Sequence, residues 1–141
     1  MGESARQHFN MPLHMMMRLE RISVAFGRKQ EDAAGMLITA VIIALQHEDL
    51  AGVFPPATPA TMEHLGKLSL RVKIDRGIKQ VLRALKNDEI TCAARICRQF
   101  LDYAMVTVEN EEASRRGIIS FALLKELVQK RLLAELVHHS Q

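Results

Sequence analysis

The 141-residue chain has no tryptophan, one tyrosine and five phenylalanines. A core without large rings has to be filled by Leu, Ile, Val, Ala and the eight methionines, a composition that favours helices over a β-sandwich. Long apolar runs are also missing. The longest, Ala33 to Leu45, falls short of the roughly 20 residues of a bilayer crossing, so it reads as a buried core helix and no membrane association is expected. Residues 2–8 contain no apolar stretch of the secretory type, and Arg6 stands where myristoylation needs Ser or Thr; a cytoplasmic protein is the default. Cysteine is limited to Cys92 and Cys97, about 140° apart on a helix, which excludes an easy local disulfide and CxxC chemistry. No Gly-rich phosphate loop, zinc spacing or nucleophile motif is present, so neither catalysis nor a cofactor is expected.

What is present is helical periodicity. Residues 1–10 are polar and expected to be flexible, ahead of one helical domain over 11–141. Met15, Leu19, Ile22 and Phe26 predict a helix from about 12 to 26, closed by Gly27. A second, about 30 to 48, carries Glu31 and Asp32 in its first turn and is apolar round most of its circumference, as a central helix would be. The Pro-rich stretch 50–59 then reads as the linker between this N-terminal hairpin and the rest, with Thr58-Pro59 opening the next element.

Between 60 and 87 no single helix fits, because the apolar face shifts between Val72 and Ile74. Either the helix kinks near Asp75, or Leu68, Leu70, Val72 and Ile74 alternate with Ser69, Arg71 and Lys73 in a strand. Helices follow at about 75–87 and 91–108, and a last one starts at Asn110 or Ser114. This final helix has two apolar stripes. Phe121, Leu124, Val128 and Leu132 are expected to form an oligomer interface, and Ile119, Leu123, Leu127 and Val137 make the second stripe. The fold class expected is therefore mainly α: a single-domain bundle of about five helices, with at most one short strand near 68–74.

The charge distribution points to a partner. Lys67, Arg71, Lys73, Arg76, Lys79, Arg83 and Lys86 are accompanied only by Asp75, so this segment is more positive than the whole chain at +3. Arg76, Lys79, Arg83 and Lys86 share one helical face. A clustered field of one sign draws polyanions. The bland reading is a set of solvated helix faces paired with acids such as Glu109, Glu111 and Glu112. No aromatic residues are interleaved to stack unpaired bases.

The order of strand 68–74, helix 75–87, short turn and helix 91–105 resembles the ribbon–helix–helix family of DNA-binding proteins. In that family two chains pair their strands into a ribbon that enters the major groove, and the second helix holds a phosphate at its N-terminus. The resemblance implies that Ser69, Arg71 and Lys73 face the groove and Leu68, Leu70, Val72 and Ile74 the core. It puts the amides near Thr91 and Cys92 on phosphate, although Asp88 and Glu89 precede them.

Met11, His14, Met15, Met16 and Met17, with His8, offer soft copper ligands, but methionine at helical spacing is first of all core filler, and no metal is expected. The function expected is non-catalytic nucleic-acid binding by a small DNA-associated regulator, with DNA preferred to RNA. Its contacts would come from Arg71, Lys73, Arg76, Lys79, Arg83 and Lys86. The alternative is a helical adaptor or structural subunit, possibly of a ribonucleoprotein assembly, acting through protein partners.

Overall fold

Where Met15, Leu19, Ile22 and Phe26 recur on one face, the computed structural model, which describes residues 4–50, 55, 68–84, 93–110 and 120–139, forms helix α1 (Leu13–Phe26). It ends as Gly27 predicts. That residue takes φ 67°, where a Cβ is disfavoured, and the N–H groups of Gly27 and Arg28 return to the carbonyls of Val24 and Ser23, both at 3.0 Å. Helix α2 (Gln30–Leu45) follows, then a 3-10 turn (Glu48–Leu50), helix α3 (Arg76–Ala84), helix α4 (Ala93–Glu109) and helix α5 (Phe121–His139). The chain is a mainly α single domain with five α-helices among the described residues. None of the described helices is long and apolar enough to cross a membrane.

α2 is the central helix. Ala33, Ala34, Leu37, Ile38, Ala40, Val41, Ile42 and Ala44 are all buried, and α2 touches α1, α4, α5 and the sheet. Two ionic contacts add to the apolar packing of α4 between its neighbours. Arg18 of α1 reaches Asp102 at 2.8 Å and Glu109 at 2.6 Å. Burial alone would lower the Arg18 pKa, but the hydrogen bonds to those two carboxylates outweigh it and raise it. From α5, Arg131 stacks on the Tyr103 ring, 4.0 Å from its centroid, and donates to Thr107 Oγ1 at 2.9 Å.

The strand alternative of the sequence is the one realised. Strand β2 (Ser69–Asp75) alternates exposed and buried along its whole length, and Leu70, Val72 and Ile74 enter the core. Leu68, expected to face the core with them, lies just outside the strand and stays 39% exposed. Residues 1–10, expected to be flexible, instead supply a second strand, β1 (Ser4–Asn10), which pairs antiparallel with β2. Its inward positions are Ala5, Gln7 and Phe9, and only Phe9 is a large apolar residue. The alternation that marks β2 is therefore faint in β1.

The final helix needs a second correction. Its described start is Phe121, with Ser120 Oγ accepting the Leu123 N–H at 3.1 Å as an N-cap. The stripe assigned to an oligomer interface packs inward: Leu124, Val128 and Leu132 are fully buried and Phe121 is partly buried against them. α2 and α4 of the same chain cover Leu124, Val128 and Leu132, while Phe121 also borders the cleft on the α2 side. The helix 3-10 turn also lies against α5. Met11 and Met15 are fully buried while Met17 is 55% exposed, so the methionine cluster is split between core and surface. Thr58-Pro59, the turn 87–90, Thr91, Cys92, Glu111, Glu112 and Ile119 lie outside the described residues. Of the linker, Leu50 and Pro55 are described, and both are buried.

Gly35 fixes how the ribbon seats on α2. A Cβ at this position would overlap the Lys73 carbonyl oxygen. At an open helix position, Gly→Ala gains about 1 kcal/mol. Here the obstacle is backbone, so Gly35→Ala is expected to cost about 2 kcal/mol or more. The measurement is a urea titration, in which the midpoint should fall at unchanged slope.

Candidate nucleic-acid interface

The register of the ribbon decides which side chains meet. Partners run from Ser4↔Asp75 to Asn10↔Ser69, including Arg6↔Lys73 and His8↔Arg71. Just past the strand ends, the Met11 N–H donates to the Leu68 carbonyl at 3.0 Å. Hydrogen-bonded and non-hydrogen-bonded pairs alternate in an antiparallel ladder, so Arg6/Lys73 and His8/Arg71 are both of the non-hydrogen-bonded kind. Two consequences follow. Directly opposed side chains share one face, and in these pairs the Cα atoms are closest, about 4.5 Å apart. The carbonyls of the same residues point out to the ribbon's edges.

Those edges are occupied. On the β2 side, the Lys73 carbonyl meets Gly35 of α2. On the β1 side, Lys79 Nζ of α3 donates to the Arg6 carbonyl at 2.6 Å, and Arg98 Nη1 of α4 donates to the Asn10 carbonyl at 3.3 Å. The resemblance implied pairing of β2 with a second chain; here β1 of the same chain takes that edge.

The outer face of the ribbon presents Arg6, His8, Asn10, Ser69, Arg71 and Lys73, with Asp75 at its end beside α3, all exposed. Arg71 and Lys73 were expected there. Arg6 and His8 were not, since only the β1–β2 register brings them alongside. Like charges directly opposite one another destabilise a sheet. Among the described residues two carboxylates offset this cluster: Asp75, at the end of the same exposed face, and Glu31 from the first turn of α2. Glu31 Oε2 lies 3.2 Å from Arg6 Nη1 and 3.7 Å from Arg71 Nε. Glu109, a candidate partner for the basic segment, is instead held by Arg18.

α3 starts directly after β2, where Asp75 Oδ2 accepts the Gly77 N–H at 2.8 Å. It then runs beside β1, as the Lys79–Arg6 contact shows. The ridge expected at Arg76, Lys79 and Arg83 is folded against β1, and with Ala5 and Gln80 these residues line a cleft of about 340 Å³. Lys86 lies outside the described residues. A larger cleft of about 490 Å³, on the α2 side, has Arg28 and Lys73 balanced by Asp32 and Asp75, so it has no such single-sign field.

No group of His, Cys, Asp and Glu side chains suited to a metal ion occurs among the described residues. No family model, curated protein or solved structure matches the chain.

Proposed function

We propose that the protein binds nucleic acid without catalysis, as a small DNA-associated regulator acting in the cytoplasm. The outer face of the β1–β2 ribbon would meet the groove, and Arg76, Lys79 and Arg83 the flanking phosphates. The observation that carries this reading is the opposition of Arg6 to Lys73 and of His8 to Arg71 on an exposed face. The Arg6/Lys73 opposition costs stability in the free protein; Glu31 offsets part of that cost, and an arriving anion relieves more of it. A two-stranded antiparallel ribbon has the width of a major groove, and Arg, Lys and Asn are the side chains that pair with purine edges there. This favours duplex DNA over RNA, whose deep, narrow major groove admits no such element. Ribbon reading of this kind is what the ribbon–helix–helix resemblance implies, except that there two chains supply the strands and here one chain supplies both.

Glu31 competes with the ligand for Arg6 and Arg71. Glu31→Gln removes that competitor, and duplex affinity is expected to rise about three- to tenfold with a steeper salt dependence. Fluorescence anisotropy with a labelled random duplex would read both. An unchanged or weaker affinity would place the duplex elsewhere.

The adaptor reading draws on a different surface. Leu13, Met17 and Val24 are 63%, 55% and 76% exposed along one side of α1, and Val137 is 59% exposed near the end of α5. An adaptor or homo-oligomer would use these rather than the buried stripe of α5. It predicts a protein complex that survives charge reversal of the ribbon.

A further inference from the structure

We infer that the cleft between α3 and β1 is a binding site for a compact multianionic phosphate, a diphosphate or triphosphate group, beyond the passing contact with a nucleic-acid backbone proposed above. The argument starts from shape. A convex ridge of cations touches successive phosphodiesters one at a time, each with a single negative charge. Arg76, Lys79 and Arg83 instead line one concavity of about 340 Å³, within the size range of small-molecule sites. Their charges therefore converge on one volume.

The lining holds no carboxylate among the described residues. Ala5 and Gln80 are the other described residues of the lining, one giving room and the other a neutral amide. Lys79 is fixed by its bond to the Arg6 carbonyl, so one of the three cations is already oriented by the ribbon edge. A terminal phosphate carries about −1.5 to −2 at neutral pH, and a diphosphate more, so a multianion gains more from three convergent cations than a diester does. Arginine adds forked donors that match phosphate oxygens in pairs. Among the described residues no aromatic ring lines the cleft, so none of them selects a base. The ligand class is thus the oligophosphate itself, free or at the end of a nucleotide.

The test uses the full chain and inorganic pyrophosphate in a calorimetric titration, with sodium chloride matched for ionic strength as the control. Pyrophosphate is expected to bind with a dissociation constant below about 1 mM, and Arg76→Gln with Arg83→Gln to weaken it about tenfold or more. Both arginines are exposed, so the variant should keep its fold. ATP should compete with pyrophosphate, and adenosine should not. Heat no greater than that of the chloride control, or affinity unchanged in the double variant, would overturn the inference. The same samples titrated with random duplex separate this from the wider reading. Pyrophosphate binding without duplex binding would keep the cleft and remove the nucleic-acid proposal; the reverse would remove the cleft alone.

Discussion

Arg71→Glu with Lys73→Glu is expected to reduce affinity for a random duplex by about 100-fold or more at 0.1 M salt while leaving the protein folded. The pair removes two phosphate or base contacts and adds repulsion at the centre of the ribbon's outer face. Each lost phosphate contact should also flatten the plot of log affinity against log salt by about 0.9, so the slope should shrink by nearly 2. Stability should move little. Both side chains are exposed, and exposed substitutions usually stay within about 0.5 kcal/mol. A carboxylate at 73 would even lie opposite Arg6, replacing a repulsive cross-strand pair by an attractive one, while one at 71 would lose the contact with Glu31. Duplex binding lost at near-constant denaturation midpoint is what marks a ligand face. A parallel fall in both would assign the two residues to the fold instead.

Val128→Asp is expected to unfold the chain. Val128 is fully buried on the inward stripe of α5 with Leu124 and Leu132, next to the central helix. An unpaired carboxylate there must be desolvated or protonated, and it also leaves a packing defect, so the cost is about 4 kcal/mol or more, a large share of the stability of a domain this size. Circular dichroism and denaturant titration would show it as loss of the cooperative transition. Val137→Asp, on the exposed end of the same helix, should leave that transition within about 0.5 kcal/mol. If Val128→Asp were folded and merely monomeric, the stripe would be an interface after all.

The sequence is legible where a pattern is local. The helices α1 and α2 could be read because their apolar positions repeat at helical spacing and Gly27 closes the first of them with a left-handed turn. β2 could be read as one of two options because four apolar and three polar residues alternate strictly. β1 could not. It has one strong apolar residue, Phe9, with Gln7 at an inward position, and its existence depends on a partner some 65 residues away in the chain. The β1 side of the candidate face, Arg6, His8 and Asn10, is hidden from the sequence for the same reason.

The two stripes of α5 pose another kind of problem. A helix apolar on two sides states that two surfaces are covered without stating which one by its own chain. Only the positions of α2 and α4 decide that Phe121, Leu124, Val128 and Leu132 face inward. The α3 ridge was legible as charge but not as shape, because its concavity depends on lying against β1. Gly35, likewise, reads in sequence as a weak point in a helix; its reason is the Lys73 carbonyl across the gap.

The most direct test of the account is the affinity of the unmodified protein for a labelled random duplex and a random single-stranded RNA, each across a salt series. With four to six of Arg6, Arg71, Lys73, Arg76, Lys79 and Arg83 on phosphate, the duplex should give a slope of about −4 to −5 and bind more tightly than the RNA at every salt concentration. No binding to either nucleic acid at low salt would contradict it, and the exposed faces of α1 and α5 would then be the surfaces to pursue.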